Sequence, residues 1–164
     1  MKPFQFRAQL WVPRPRGEVF EFFSSALNLE QITPPWVSFR VITPPPIEMR
    51  VGALIDYSLR IRGIPARWQS RITAWEPPYR FVDEQVRGPY SIWIHEHRFT
   101  EGEGKTLCED YVQYAPPGGA LFAPLLNALL IERDVRKIFD YRSQRLREIF
   151  GDTRPRDTGN AGPL

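Results

Sequence analysis

A single cysteine, Cys108, stands in the 164 residues, so no disulfide can form within the chain and a reducing, cytoplasmic setting is expected. Histidine is almost as scarce: His95 and His97 are the only two. There is no basic block either. Lys and Arg total 22 against 19 Asp and Glu, and the net charge of +3 is spread along the chain, so no nucleic-acid partner is expected. Long apolar runs are missing. The most apolar stretch, 120–131, is interrupted by Pro124 and Asn127 and is too short to span a bilayer. The first twelve residues alternate like a strand and carry no apolar core followed by a small-residue cleavage site.

What the chain does have is alternation. Between Arg50 and Tyr114 five runs of alternating apolar and polar residues follow one another: Ala53–Arg62, Ala66–Glu76, Arg80–Val86, Ser91–Thr100 and Lys105–Tyr114. Period two puts one set of side chains on each face of a strand, and short connections make neighbours pair antiparallel. The connections carry turn chemistry in Gly63 with Pro65, Pro77-Pro78, Gly88-Pro89, and Gly102 with Gly104. Phe4–Val12 predicts a further strand, Glu18–Ser24 and Asn28–Ile32 two short helices, and Val37–Ile42 an edge strand stopped by Pro44-Pro45-Pro46. A helical pattern runs from about Gly119 to Phe150, with Ile131, Val135, Ile138, Phe139, Arg142, Leu146 and Ile149 on one stripe. Residues 1–151 are expected to form one α+β domain, and the polar, Gly- and Pro-rich residues 152–164 a disordered tail.

Several residues in this order carry a resemblance: Thr33-Pro34-Pro35, Gly52 with Tyr57, Trp68, Trp75 with Pro77, Phe81-Val82-Asp83, and Gly88-Pro89-Tyr90. Trp93, His95, His97 and Phe99 follow at every second position, then Thr106, Asp110 with Tyr114, Pro116, and Phe139 with Tyr141-Arg142. Over about residues 3–150 the chain resembles the START or pollen-allergen helix-grip superfamily, SRPBCC, and within it the polyketide cyclase/dehydrase-like branch. The resemblance implies a seven-stranded antiparallel sheet curved around a long C-terminal helix, with two short helices between strands 1 and 2. It also implies a cavity that holds a lipid- or polyketide-like molecule, with catalysis in some members.

Parity sorts the strand residues independently. Tyr57 and Leu59 belong to the apolar odd set of their run, and Trp68, Ser70, Ile72 and Ala74 to the apolar even set of the next. In the following runs the large aromatics travel with Phe81, Asp83 and Gln85, with Trp93, His95, His97 and Phe99, and with Asp110 and Tyr114. These, with Val135, Phe139 and Arg142 of the helix, are the expected pocket lining. A hairpin through Gly88-Pro89 puts Trp93 across from Asp83 and His95 across from Phe81. A tight connection at Gly102–Lys105 puts His97 across from Asp110.

His-x-His on a strand can ligate a metal, with Asp83 or Asp110 as a third ligand, but the spacing elsewhere offers no metal motif, and neither a metal nor another cofactor is expected. His97 held by Asp110 is the candidate acid/base pair for a dehydration or aldol cyclisation, without redox chemistry. Arg142 is expected either to meet an acidic ligand head group or to pair with Asp83 or Asp110. Residues 120–130 form a candidate lid, and a candidate point of transient contact with a membrane or partner. The leading expectation is a non-enzymatic binder of a small hydrophobic ligand. A cyclase or dehydratase is the alternative, and a protein-interaction module in stress response or assembly the third. Monomer and homodimer both stay open.

Overall fold

Nine alternating residues begin the sheet as β1 (Phe4–Val12), and the run ends where Pro13 and Pro15 remove two backbone donors. The computed structural model describes residues 2–117, 124, 126 and 130–152. After β1 come α1 (Arg16–Phe23), a 3₁₀ turn at Ala26–Asn28, α2 (Leu29–Ile32) and a second 3₁₀ turn at Pro35–Val37. The expected edge strand shrinks to β2 (Arg40–Val41). Pro35 starts the turn that takes up its first residue, and Ser38 then adopts a left-handed φ of 48°, which breaks the extended run.

The meander follows as β3 (Leu54–Ile61), β4 (Ile64–Glu76), β5 (Arg80–Arg87), β6 (Ile92–Gly102) and β7 (Lys105–Ala115). All pairings are antiparallel, and the sheet order is β1-β7-β6-β5-β4-β3-β2. β1 thus returns to cover the free edge of β7. The turns Arg62-Gly63 and Glu103-Gly104 have positive φ at both positions, as a two-residue hairpin loop following strand twist requires. The long helix, α3 (Glu132–Phe150), lies against β1 and α2. The expected beginning of that helix, the lid at 120–130 and the tail beyond Asp152 fall largely or wholly outside the described residues. No helix among the described residues is long and apolar enough to cross a membrane.

Parity holds on every strand but one. In β4 the even set faces the core as far as Ile72; an irregularity between Ile72 and Ala74 then shifts the pairing, so that Ala74 faces Val82 and Trp75 faces Phe81. One extra residue moves the following side chains to the other face, and Trp75 packs into the core where Ala74 was expected. In α1 the fully enclosed aromatics are Phe20 and Phe23, while Phe22 is half-buried. Phe20 and Phe23 drive into one end of the concave face, meeting Phe81 and Phe99 at ring separations of 5.1–6.0 Å. Tyr114, Trp93, Tyr90 and Phe4 pack together at the other end. Between these two aromatic groups the wall turns polar.

Candidate functional site

Five ionisable side chains converge in that polar band. β5 supplies Asp83, β6 supplies His95 and His97, β7 supplies Asp110, and α3 supplies Arg142. The strand ladder fixes their spacing: Asp83 is opposite His95, Phe81 opposite His97, and His97 opposite Asp110. The β5–β6 register therefore differs by two residues from the expected one, which set Asp83 against Trp93. An even slip keeps every side chain on its face and changes only its neighbours. Its cause is local. The Gln85 side chain donates to the Tyr90 carbonyl at 2.6 Å and accepts from the Tyr90 N–H at 3.2 Å, so a side chain replaces a ladder rung and lengthens the turn.

The two imidazoles stand side by side, ring centres 3.8 Å apart, each with one nitrogen toward Asp83 and the other toward Asp110. His95 Nε2 is 2.8 Å from Asp110 Oδ1, and this is the one well-aligned hydrogen bond of the four contacts. His97 Nδ1 lies 3.0 Å from the same oxygen but off the N–H axis, leaving an ionic contact and no hydrogen bond. Toward Asp83 Oδ2 the distances are 3.4 Å from His97 Nε2 and 3.9 Å from His95 Nδ1. Arg142 Nη1 is 3.4 Å from Asp110 Oδ1. Trp68 donates to the Ser70 hydroxyl, and Ser70 donates to Asp83 Oδ1 at 3.3 Å. Phe81 stacks on His97 at 4.2 Å, and Phe139 meets His95 edge-on at 5.5 Å, so both rings are clamped.

Charge balance decides the protonation states. Burial raises both aspartates, but the imidazoles outweigh it at Asp83, and at Asp110 the imidazoles with Arg142 carry the pKa well below the ordinary carboxylate range. Burial and the neighbouring charge of His97 hold His95 down to about 4, against the pull of Asp110. Burial acts on His97 too, yet its contacts with Asp110 and Asp83 win and its pKa is raised. Two carboxylates, one guanidinium and one imidazolium sum to zero; a second imidazolium would leave a buried net charge. Neutral His95 then donates from Nε2, and its Nδ1 lone pair faces Asp83, which accounts for the 3.9 Å separation.

Not all expected lining residues reach this cluster. Trp68 and Phe81 bracket it directly, and Val135 and Phe139 of α3 pack over the Trp93–Tyr114 end. Phe99 joins the Phe20 group, and Tyr57 and Leu59 belong to the β3 side. Gln85 is occupied by the turn. Cys108 is buried, and burial pushes its thiol up, so it is no nucleophile. Ser70 was visible in the inward set of β4 without being singled out. Ile47 and Met49 were missed, since an irregular segment carries no period. They line a concavity of about 310 Å³ with Ser24, Ala26, Leu27 and Pro45, and they also pack on the β3–β4 core. A second concavity, about 260 Å³, lies at the tip of the β3–β4 side around Leu59 and Ala66.

A family model described as polyketide cyclase / dehydrase and lipid transport matches residues 12–140. Among similar solved structures, protein CV1439 from Chromobacterium violaceum has 12% identity and a TM-score of 0.69, covering 90% of this chain and 96% of that one. Major latex-like protein 151 from Panax ginseng has 12% identity and a TM-score of 0.67, with 92% and 99% covered. A START superfamily protein from Mycobacterium smegmatis has 9% identity and a TM-score of 0.65, with 88% and 98% covered. A search of curated proteins finds no match. At such identities the structural likeness speaks for the helix-grip fold alone. The family match spans most of the sequence, and the chain belongs to the polyketide cyclase / dehydrase and lipid transport family.

Proposed function

We propose that this protein binds a small, largely apolar molecule whose polar end meets the Asp83–His95–His97–Asp110–Arg142 cluster. One observation carries the reading. In an otherwise apolar interior, His97 Nδ1 and Arg142 Nε are buried without a hydrogen-bond partner among the described residues. Buried donors are nearly always satisfied, so two in one cluster are a demand that a ligand carbonyl, carboxylate or hydroxyl would meet. The cluster has a closed and an open end: the Asp110 and Arg142 side chains are 10% and 11% exposed, Asp83 21%. The Ile47–Met49 concavity lies against the β3–β4 core and is lined by none of the five cluster residues.

Native mass spectrometry of the purified chain with a panel of fatty acids, isoprenoids and aromatic polyketides tests the reading. A one-to-one complex is expected for molecules with one polar end. Trp68 and Trp93, in ring contact beside the cluster, should change their fluorescence on binding. If no member of the panel is retained and the fluorescence stays constant, the protein is no such binder.

A second reading, dehydration or cyclisation, is favoured by the opposite shifts of the two histidines. Neighbouring groups driven apart in pKa can serve as acid and base, here His97 as imidazolium and His95 as neutral imidazole. Replacing His97 by Gln is expected to reduce turnover of an accepted substrate by 100-fold or more, a range of about 10²–10⁴ being usual for such groups. Full activity in that variant would exclude the acid role.

A further inference from the structure

The sequence offers Asp83 or Asp110 as a third ligand beside His95 and His97; the register between β5 and β6 selects Asp83. Asp83 stands opposite His95 and on the same face as His97. One ligand atom each from Asp83, His95 and His97 lies within 4.8 Å of the other two. In a tetrahedral site with bonds of 2.0–2.2 Å, neighbouring ligand atoms are about 3.3–3.6 Å apart. His97 Nε2 and Asp83 Oδ2 are already 3.4 Å apart, and His95 Nδ1 is 3.9 Å from the same oxygen, so two edges of the triangle lie at or near that spacing.

The surroundings are those of a built site. Ligating histidines characteristically pass their other ring N–H to a carboxylate, which fixes the tautomer and the ring orientation. Here the other nitrogen of His95 is hydrogen-bonded to Asp110 at 2.8 Å, and that of His97 lies 3.0 Å from the same carboxylate in an off-axis ionic contact. Ser70 holds the second oxygen of Asp83, and Phe81 and Phe139 clamp the rings. The three candidate ligands, Asp83, His95 and His97, have side chains 21%, 7% and 4% exposed. Asp83, the most exposed of them, borders the direction from which water or a ligand oxygen would complete the coordination.

We propose that Asp83, His95 and His97 form a mononuclear site for a divalent first-row transition ion, Zn²⁺ foremost, with Asp110 as the common partner behind both histidines. Two imidazoles and one carboxylate suit zinc or iron(II) and disfavour magnesium and calcium, which require oxygen shells. The site stands independently of the organic ligand reading and needs no ligand to be tested.

The full chain, stripped with chelator and dialysed, is titrated with Zn²⁺ and with Co²⁺ alone. One ion per chain is expected, with Mg²⁺ giving no uptake. Bound Co²⁺ should show the intense visible bands of a tetrahedral, non-aqueous environment. Asp83→Asn should weaken binding at least tenfold while far-ultraviolet circular dichroism stays unchanged. Glu96→Gln, on the outer face of β6, should bind as the parent does. X-ray absorption of the zinc-loaded parent, which depends on no variant folding, should report two imidazole nitrogens. Absence of stoichiometric uptake, or a spectrum with oxygen neighbours alone, overturns the proposal.

Discussion

Replacing Asp110 by alanine is expected to lower the unfolding free energy by about 3–5 kcal/mol, the range for removing one partner of a buried ion pair. That is a large share of the 5–15 kcal/mol a domain of this size holds. Asp110 Oδ1 faces His95, His97 and Arg142 at 2.8, 3.0 and 3.4 Å, and all four side chains are almost enclosed. Without the carboxylate, a guanidinium and an imidazolium remain in the interior with only Asp83 to balance them. The exposed pair Arg62–Asp134 has better distances, 2.7 and 3.0 Å, yet its loss should be felt far less because water takes its place. Urea unfolding followed by tryptophan fluorescence measures the difference. Coupling gives a second check: Arg142→Met in the Asp110→Ala background should recover part of the loss, since it removes one orphaned charge. A loss below about 1 kcal/mol would mean that the cluster is wetter or less charged than the distances indicate.

The parts of the fold that depend on local alternation were legible. Phe4–Val12 comes out with the expected bounds, and the inward sets of β3, β5, β6 and β7 are those given by parity. The reason is physical: a strand with one wet face must repeat every two residues, and that repeat is written into the sequence. What decides how strands meet is less local. The Ile72–Ala74 bulge adds a residue without disturbing composition, so Trp75 could not be assigned to the core by counting. The Gln85 clamp on Tyr90 is a side chain doing a backbone's work, and no periodicity records it. That clamp moved the histidines relative to Asp83. The residue types of the site were therefore readable, and the triangle they form was not. Arg142 shows the same limit: its place on the apolar stripe of α3 marked it as unusual, but which aspartate it meets depends on the rotation of α3 over β1 and β7.

With metal removed by chelator, the protein is expected to be most stable near pH 6.5 and to lose stability on both sides. On the acid side His95 acts first. Its folded pKa of about 4 lies below the ordinary 6.5, so between those values the unfolded chain takes up a proton that the folded one refuses. Stability must then fall as pH falls, by on the order of 3 kcal/mol across the window at about 1.4 kcal/mol per unit. Asp83 and Asp110 act below about pH 4: their folded pKa values are depressed, so the stability they contribute is present above the ordinary carboxylate value and is lost as pH drops through the folded ones. His97 runs the opposite way. Its folded pKa is raised, so its contribution is complete below 6.5 and disappears as pH climbs through the folded value. Thermal melts from about pH 2 to 9 separate the three. His95→Gln should flatten the profile between 4 and 6.5 while leaving the alkaline decline; His97→Gln should remove the alkaline decline and, by taking away the neighbouring charge, also make the acid-side loss shallower. If the parent profile is already flat between 4 and 6.5, His95 carries a proton in the fold, and Asp83 and Asp110 must then be compensating two imidazolium charges rather than one.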